Sequence, residues 1–158
     1  MNEYHERFML RAIELAERGI NEDAGGPFGS VIVRDDLVIA EGWNSVTSSN
    51  DPTAHAEIMA IREACRKLNS FQLENCVVYS SCEPCPMCLG AIYWARPKML
   101  VFAGTREDAA GAGFDDQFIY DELARPLENR GIRTLSIMRH ESQRVFRLWD
   151  EKEDKIEY

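Results

Sequence analysis

Two short segments hold the residues best suited to chemistry. His55-Ala56-Glu57 offers an imidazole and a carboxylate, and Pro84-Cys85-Pro86-Met87-Cys88 offers two thiols at i and i+3. An imidazole and two thiolates form a donor set suited to zinc, and three protein ligands leave the fourth tetrahedral position for water, as in catalytic rather than structural sites. His55, Cys85 and Cys88 are therefore the candidate ligands of one zinc ion per chain. A helix starting at Pro86 assists, because proline loses nothing at the first helical position and the positive helix end favours thiolate over thiol. Water on such an ion is acidified toward a pKa of about 7. Glu57 is not needed as a ligand and is the candidate catalytic proton carrier. On an ideal helix, however, residues two apart point about 200° from one another. His55 and Glu57 converge only if metal and substrate lie over the helix N-terminus. Two other uses of the cysteines stay open: Cys82 as a fourth ligand closing a structural zinc site, or Cys85 and Cys88 as a redox pair.

The elements that must position these groups can be read from periodicity. Phe8, Ala12, Leu15 and Ala16 predict an amphipathic helix over Glu6–Arg18, stopped by Gly19. After the break at Gly25-Gly26-Pro27, Phe28–Val33 and Leu37–Trp43 read as a hairpin turning at Asp35-Asp36. Thr53 is the expected N-cap of a helix over Ala54–Leu68. A short strand at Val77–Tyr79 precedes a helix from Pro86 to Ala95 that Pro97 ends. Met99–Ala103 and Thr134–Met138 are the remaining strands. The alternation predicts one α/β domain, a sandwich with a mixed sheet opened by the hairpin. Cys65 and Cys76, on or beside apolar segments, are expected to be inert core thiols.

Bulk properties narrow the function classes. A chain of 158 residues suits one compact core, and 45% hydrophobic with 28% charged residues suits a folded protein. The formal charge of -9 disfavours binding to a phosphate backbone, so a nucleic-acid substrate is not expected. The N-terminal residues lack signal-peptide layout, no apolar run is long enough to span a bilayer, and five cysteines include three clustered ones. These features predict a cytoplasmic protein whose thiols bind metal rather than pair.

His-x-Glu followed by Pro-Cys-x-x-Cys is the signature of zinc-dependent base deaminases. On these motifs the chain resembles the cytidine deaminase superfamily, and it is similar to its guanine-acting branch in Gly25–Gly29, Thr47–Glu57, Ser81–Arg96, Ala112–Tyr120 and the terminal Tyr158. The resemblance implies a three-layer α/β/α sandwich around five central strands. It also implies a homodimer in which C-terminal elements are exchanged and close over the partner's site. The implied reaction is guanine plus water giving xanthine plus ammonia, with attack at C2. By position, Asn44 and the backbone N–H of Ala56 would hold the purine's polar edge, while Phe28 and Trp94 would line its faces. Asp116 would engage guanine's nitrogens and help protonate the departing amine, and Tyr158 would reach in from the chain end. The rivals are deamination of cytosine, an aminated triazine or tRNA adenosine, and a zinc-stabilised binding domain without turnover.

Overall fold

A computed structural model describes residues 3–158, as two compact units that meet in sequence at Asp116/Gln117. The first holds a four-stranded mixed sheet in the order β2-β1-β3-β4, where β1 is Gly29–Arg34, β2 is Leu37–Trp43, β3 is Val77–Cys82 and β4 is Met99–Gly104. β1 pairs antiparallel with both β2 and β3, whereas β3 and β4 run parallel. Asp35 and Asp36 both have positive φ, 50° and 68°, which gives the two-residue turn the twist a tight hairpin requires.

Helices cover both faces of the sheet, so β1 reads as a continuous apolar run. Its side chains alternate between layers. Val31 and Val33 pack with Phe8, Ala12 and Leu15 of α1 (Glu3–Asn21), and Ile32 packs into the opposite cluster with Ala60 and Ala64 of α3 (Ala56–Leu68) and Ile92 and Ala95 of α4 (Pro86–Ala95). The short helix α2 (Val46–Ser49) follows the hairpin, and α5 (Arg106–Gly111) starts at a capping box formed by Thr105 and Asp108.

Three expectations need correction. Gly19 does not stop α1, which continues to Asn21 before Asp23 takes a left-handed conformation at φ 53°. The glycine instead admits Trp43, whose Cδ1 would lie 3.2 Å from an added Cβ. Thr53 does not cap α3; its hydroxyl donates to Asp51 Oδ1 at 2.7 Å, and His55 takes the N-cap position. The sheet has four strands rather than five, because Thr134–Met138 forms no strand. A strand persists only with a hydrogen-bonded neighbour, and this stretch instead leads into a helix, with Met138 left-handed at φ 53° as its N-cap.

The second unit, described by itself, comprises α6 (Gln117–Ala124), a 3-10 turn at Leu127–Asn129 and α7 (Arg139–Asp150). It carries many exposed apolar side chains, among them Phe118, Leu135, Ile137, Phe146 and Tyr158. Within it, Phe118, Leu123, Ile132 and Thr134 line a cavity of about 750 Å³.

Candidate active site

The two chemical segments meet because each lies at the start of a helix on the same side of the sheet. His55 is the N-cap of α3 with φ -72° and ψ 156°, and Cys85 is the N-cap of α4 with φ -64° and ψ 167°. Extended backbone at both positions takes their side chains off the helical screw, which removes the 200° conflict between His55 and Glu57. Neither side chain makes the capping hydrogen bond that its position allows. They turn toward each other instead. Pro86 occupies the first turn of α4, as expected, and Cys88 follows within that turn.

His55 Nδ1 lies 3.6 Å from Cys85 Sγ and 3.5 Å from Cys88 Sγ, and the three donor atoms fall within 4.8 Å of one another. Tetrahedral zinc with ordinary bond lengths holds an imidazole nitrogen and a thiolate sulfur about 3.6 Å apart. The residues fit the ion. Their proton affinities point the same way: Cys85 is brought down to about 4, chiefly by the Cys88 thiol and then by His55. Cys88 is driven up, chiefly by its hydrogen bond to Cys85 and by burial. A second thiolate beside the first needs a cation, which is what a metal provides. His55 is raised by its interaction with Cys85.

Cys82 stands outside this group. It is buried, its thiol donates to the carbonyl of Thr105 at 3.4 Å, and burial pushes it up to about 11. The closed four-ligand site therefore has no fourth ligand in Cys82. Cys65 and Cys76 are free thiols, both raised by burial, in keeping with a core role.

Glu57 enters the same space from the first turn of α3 and is 6% exposed. Burial raises its pKa, and Ser80 Oγ donates to its Oε1 at 2.9 Å. The first turn of α3 sits low on the sheet because β2 presents Gly42 beneath it; an added Cβ would lie 2.4 Å from the Ala56 carbonyl. Ala56, as the first residue of α3, also carries one of the backbone N–H groups that a helix start leaves without an intrahelical acceptor.

Several of the expected rim residues lie in the first unit. Asn44 is buried, its N–H donates to the Phe28 carbonyl at 3.0 Å, and the next residue, Ser45, donates to the Ala54 carbonyl at 2.9 Å. Its side-chain oxygen accepts from the N–H groups of Gly26 and Val46 at 3.1 and 3.2 Å. The amide NH2 is then the half available to a bound molecule. Phe28 meets Phe114 edge to face at 5.0 Å between ring centres. Asp116, two residues further on, is half-buried, and its carboxyl is raised by burial and then by the charge of Cys85. Trp94 lies on the exposed side of α4, six residues past Cys88 and so about 9 Å along the axis. Tyr158 ends the second unit and is exposed there.

Two residues escape the sequence reading. Ser80 had a signal, a hydroxyl in the middle of a buried strand that must find a partner. Phe114 stands in a Gly-rich segment without periodicity, and nothing local marks it as the ring against Phe28.

Similarity to known proteins agrees with the geometry. Residues 2–104 match the cytidine and deoxycytidylate deaminase zinc-binding region. The chain is 55% identical over 154 residues to guanine deaminase of Bacillus subtilis (strain 168), covering 98% of this chain and 99% of that protein. The crystal structure of guanine deaminase from Bacillus subtilis superposes with a TM-score of 0.95 over 100% of this chain and 99% of that one. A tRNA-specific adenosine deaminase of Haemophilus influenzae is more distant, 39% identical over 122 residues, which are 76% of this chain and 69% of that protein. With three zinc-type donors at tetrahedral spacing and a buried carboxylate beside them, the chain belongs to the cytidine and deoxycytidylate deaminase family of zinc-binding enzymes.

Proposed function

We propose that this chain hydrolyses guanine to xanthine and ammonia. The observation that carries the chemistry is the three-donor group with Glu57 buried beside it and not part of it. The choice of guanine rests on the full-length likeness to the Bacillus subtilis enzyme together with the rim segment that contains Asp116. One zinc ion per chain, held by His55, Cys85 and Cys88, supplies the Lewis acidity that makes water nucleophilic near neutral pH.

The chain's own groups do the rest. Glu57 takes one proton from the attacking water and delivers it to N3, the unprotonated ring nitrogen next to C2. It then takes the second from the new C2 hydroxyl as the carbonyl forms and the C–N bond breaks, and gives it to the departing amine. A carboxylate whose pKa is raised by burial holds and releases a proton more evenly than one in water. Asn44 donates its NH2 and Ala56 its backbone N–H to the acceptor edge of the purine. Asp116 accepts from guanine's N–H groups and aids protonation of the amine. An adenine-like edge would leave that carboxylate unpaired, which is how polar sites discriminate. Phe28 and Trp94 line the ring faces, and Tyr158 closes the site from the chain end.

In this reading the active form is a homodimer with C-terminal elements exchanged, which the exposed apolar side chains of the second unit support. Its three zinc-binding thiol and imidazole groups suit the reducing cytoplasm. No helix among the described residues is long and apolar enough to cross a membrane. The test is ammonia release by zinc-loaded protein from guanine, guanosine, cytosine, cytidine and adenine. Release from guanine at the highest kcat/KM is expected; release from cytosine or adenine in its place would assign the chain to another substrate.

A further inference from the structure

We infer that Ser80 is a positioning residue for Glu57: its hydroxyl fixes one carboxylate oxygen so that the other is held toward the substrate. The inference rests on Glu57 being the proton carrier proposed above. Ser80 is 1% exposed in the middle of β3, and its Oγ lies 2.9 Å from Glu57 Oε1. Cys88 also interacts with the Glu57 carboxylate. A cysteine that ligates a metal does so as thiolate, with no proton to donate. Once Cys88 is a ligand, Ser80 is the side-chain donor left to Glu57.

The sheet is built to bring this hydroxyl to that carboxylate. Gly42, Ser30 and Ser80 are aligned across β2, β1 and β3, and aligned residues on neighbouring strands share a face. All three are small, and α3 settles closely over them, as the 2.4 Å approach of the Ala56 carbonyl to a Cβ at Gly42 shows. A carboxylate on that first turn is pressed onto the row and meets a hydroxyl instead of a methyl group. Ser30 provides an internal comparison. It is equally buried, but its hydroxyl donates to the Tyr79 carbonyl at 2.9 Å and is not bonded to Glu57.

A carboxylate tied at one oxygen loses the freedom to rotate both away from the reacting atoms, and misplacement of a proton carrier lowers turnover more than binding. Ser80→Ala is therefore expected to lower kcat for guanine about 10- to 100-fold. KM, the Kd for xanthine and zinc content should stay within about twofold on the same reasoning. Ser80→Thr, which keeps the hydroxyl, should restore most of kcat, and the isosteric Ser80→Val should not. This pair decides the matter even if the alanine variant folds poorly. Ser30→Ala is expected to lower the melting temperature and leave kcat near that of the unsubstituted protein. Equal kcat in the threonine and valine variants, or the same kcat loss in Ser30→Ala, would overturn the assignment.

Crystal structures of the zinc-loaded protein and its Ser80→Val variant test the positioning without reference to any substrate. The Glu57 carboxylate should sit on Ser80 Oγ in the first and turn or become disordered in the second. An unchanged carboxylate in the variant would overturn the role of Ser80. Absence of guanine turnover in the unsubstituted protein, with the carboxylate displaced in the variant, would instead count against guanine as substrate and leave the positioning role standing.

Discussion

His55 and Cys85 hold the first residue-scale explanation of the site, since both occupy helix N-caps and neither uses its side chain as a cap. Their positions trade local helix stability, about 1 kcal/mol for a good cap, for side chains that leave the helical screw and meet Cys88. That these three donors come together was legible from spacing, because few donor sets share this chemistry. Their geometry was not, because it depends on backbone angles at two residues. Cys88→Ala is expected to abolish stoichiometric zinc binding, whereas Cys82→Ala should retain one zinc per chain; metal analysis after dialysis distinguishes them. Asn44 gives a second prediction. Asn44→Asp keeps the oxygen that accepts from Gly26 and Val46 but removes the NH2. It should lower kcat/KM for guanine about 10- to 100-fold, the effect of losing a donor and adding a buried charge, and the same charge should lower the melting temperature.

At the scale of elements, the site depends on how low α3 sits on the sheet. Gly42→Ala would place a Cβ 2.4 Å from the Ala56 carbonyl and 2.7 Å from the Ala60 nitrogen, both backbone atoms that cannot rotate aside. Denaturant unfolding should report a loss of about 1–3 kcal/mol, as for other overpacked sites, and kcat should fall as the first turn lifts. The other face is clamped by Arg11 of α1, whose Nε and Nη2 donate to Glu41 Oε1 and Oε2 at 2.6 and 2.8 Å. Arg11 holds the Glu41 carboxyl below its ordinary range. A depressed carboxyl contributes stability above its unfolded pKa, lost as pH falls through the folded value. Both side chains are partly exposed, so the contribution is about 0.5–1 kcal/mol. Glu41→Gln should lower stability by that amount at pH 7, with the difference vanishing as the pH falls below about 4.

Helix and strand identities here were largely legible: the hairpin turn at Asp35-Asp36, Pro86 as the helix start and the Met99 strand all lie where periodicity puts them. The two helix-end misreadings have different causes: Trp43, distant in sequence, packs against Gly19, whereas Asp51, two residues upstream, takes the Thr53 hydroxyl that would have capped the helix.

The molecule divides into a sheet-bearing unit that contains the three candidate zinc donors, His55, Cys85 and Cys88, and a helical unit that ends in Tyr158. The Thr134–Met138 stretch has strand composition without a strand partner, and pairing is a property of an edge rather than of a segment, so sequence could not decide it. Leu135 and Ile137 remain 70% and 77% exposed, and apolar side chains exposed together on one segment suit an interaction surface. Sedimentation equilibrium should give twice the 18.1 kDa chain mass. Exchange of C-terminal elements has its own signature. A Glu57→Gln chain and a chain lacking Tyr158, each inactive or impaired alone, should regain activity when refolded together, because one mixed site receives an intact Glu57 and a partner's tail. Two chains that each use their own tail would show no gain.

In the proposed reaction the zinc-binding group and Glu57 together convert guanine to xanthine. Xanthine formation from guanine should be followed by absorbance for the unsubstituted protein and for Glu57→Gln, each with its zinc content measured on the same sample. Conversion is expected in the first, with a loss of about 10²- to 10⁴-fold in the second at equal zinc. Equal turnover in both, or none from guanine in a fully zinc-loaded protein, would contradict it.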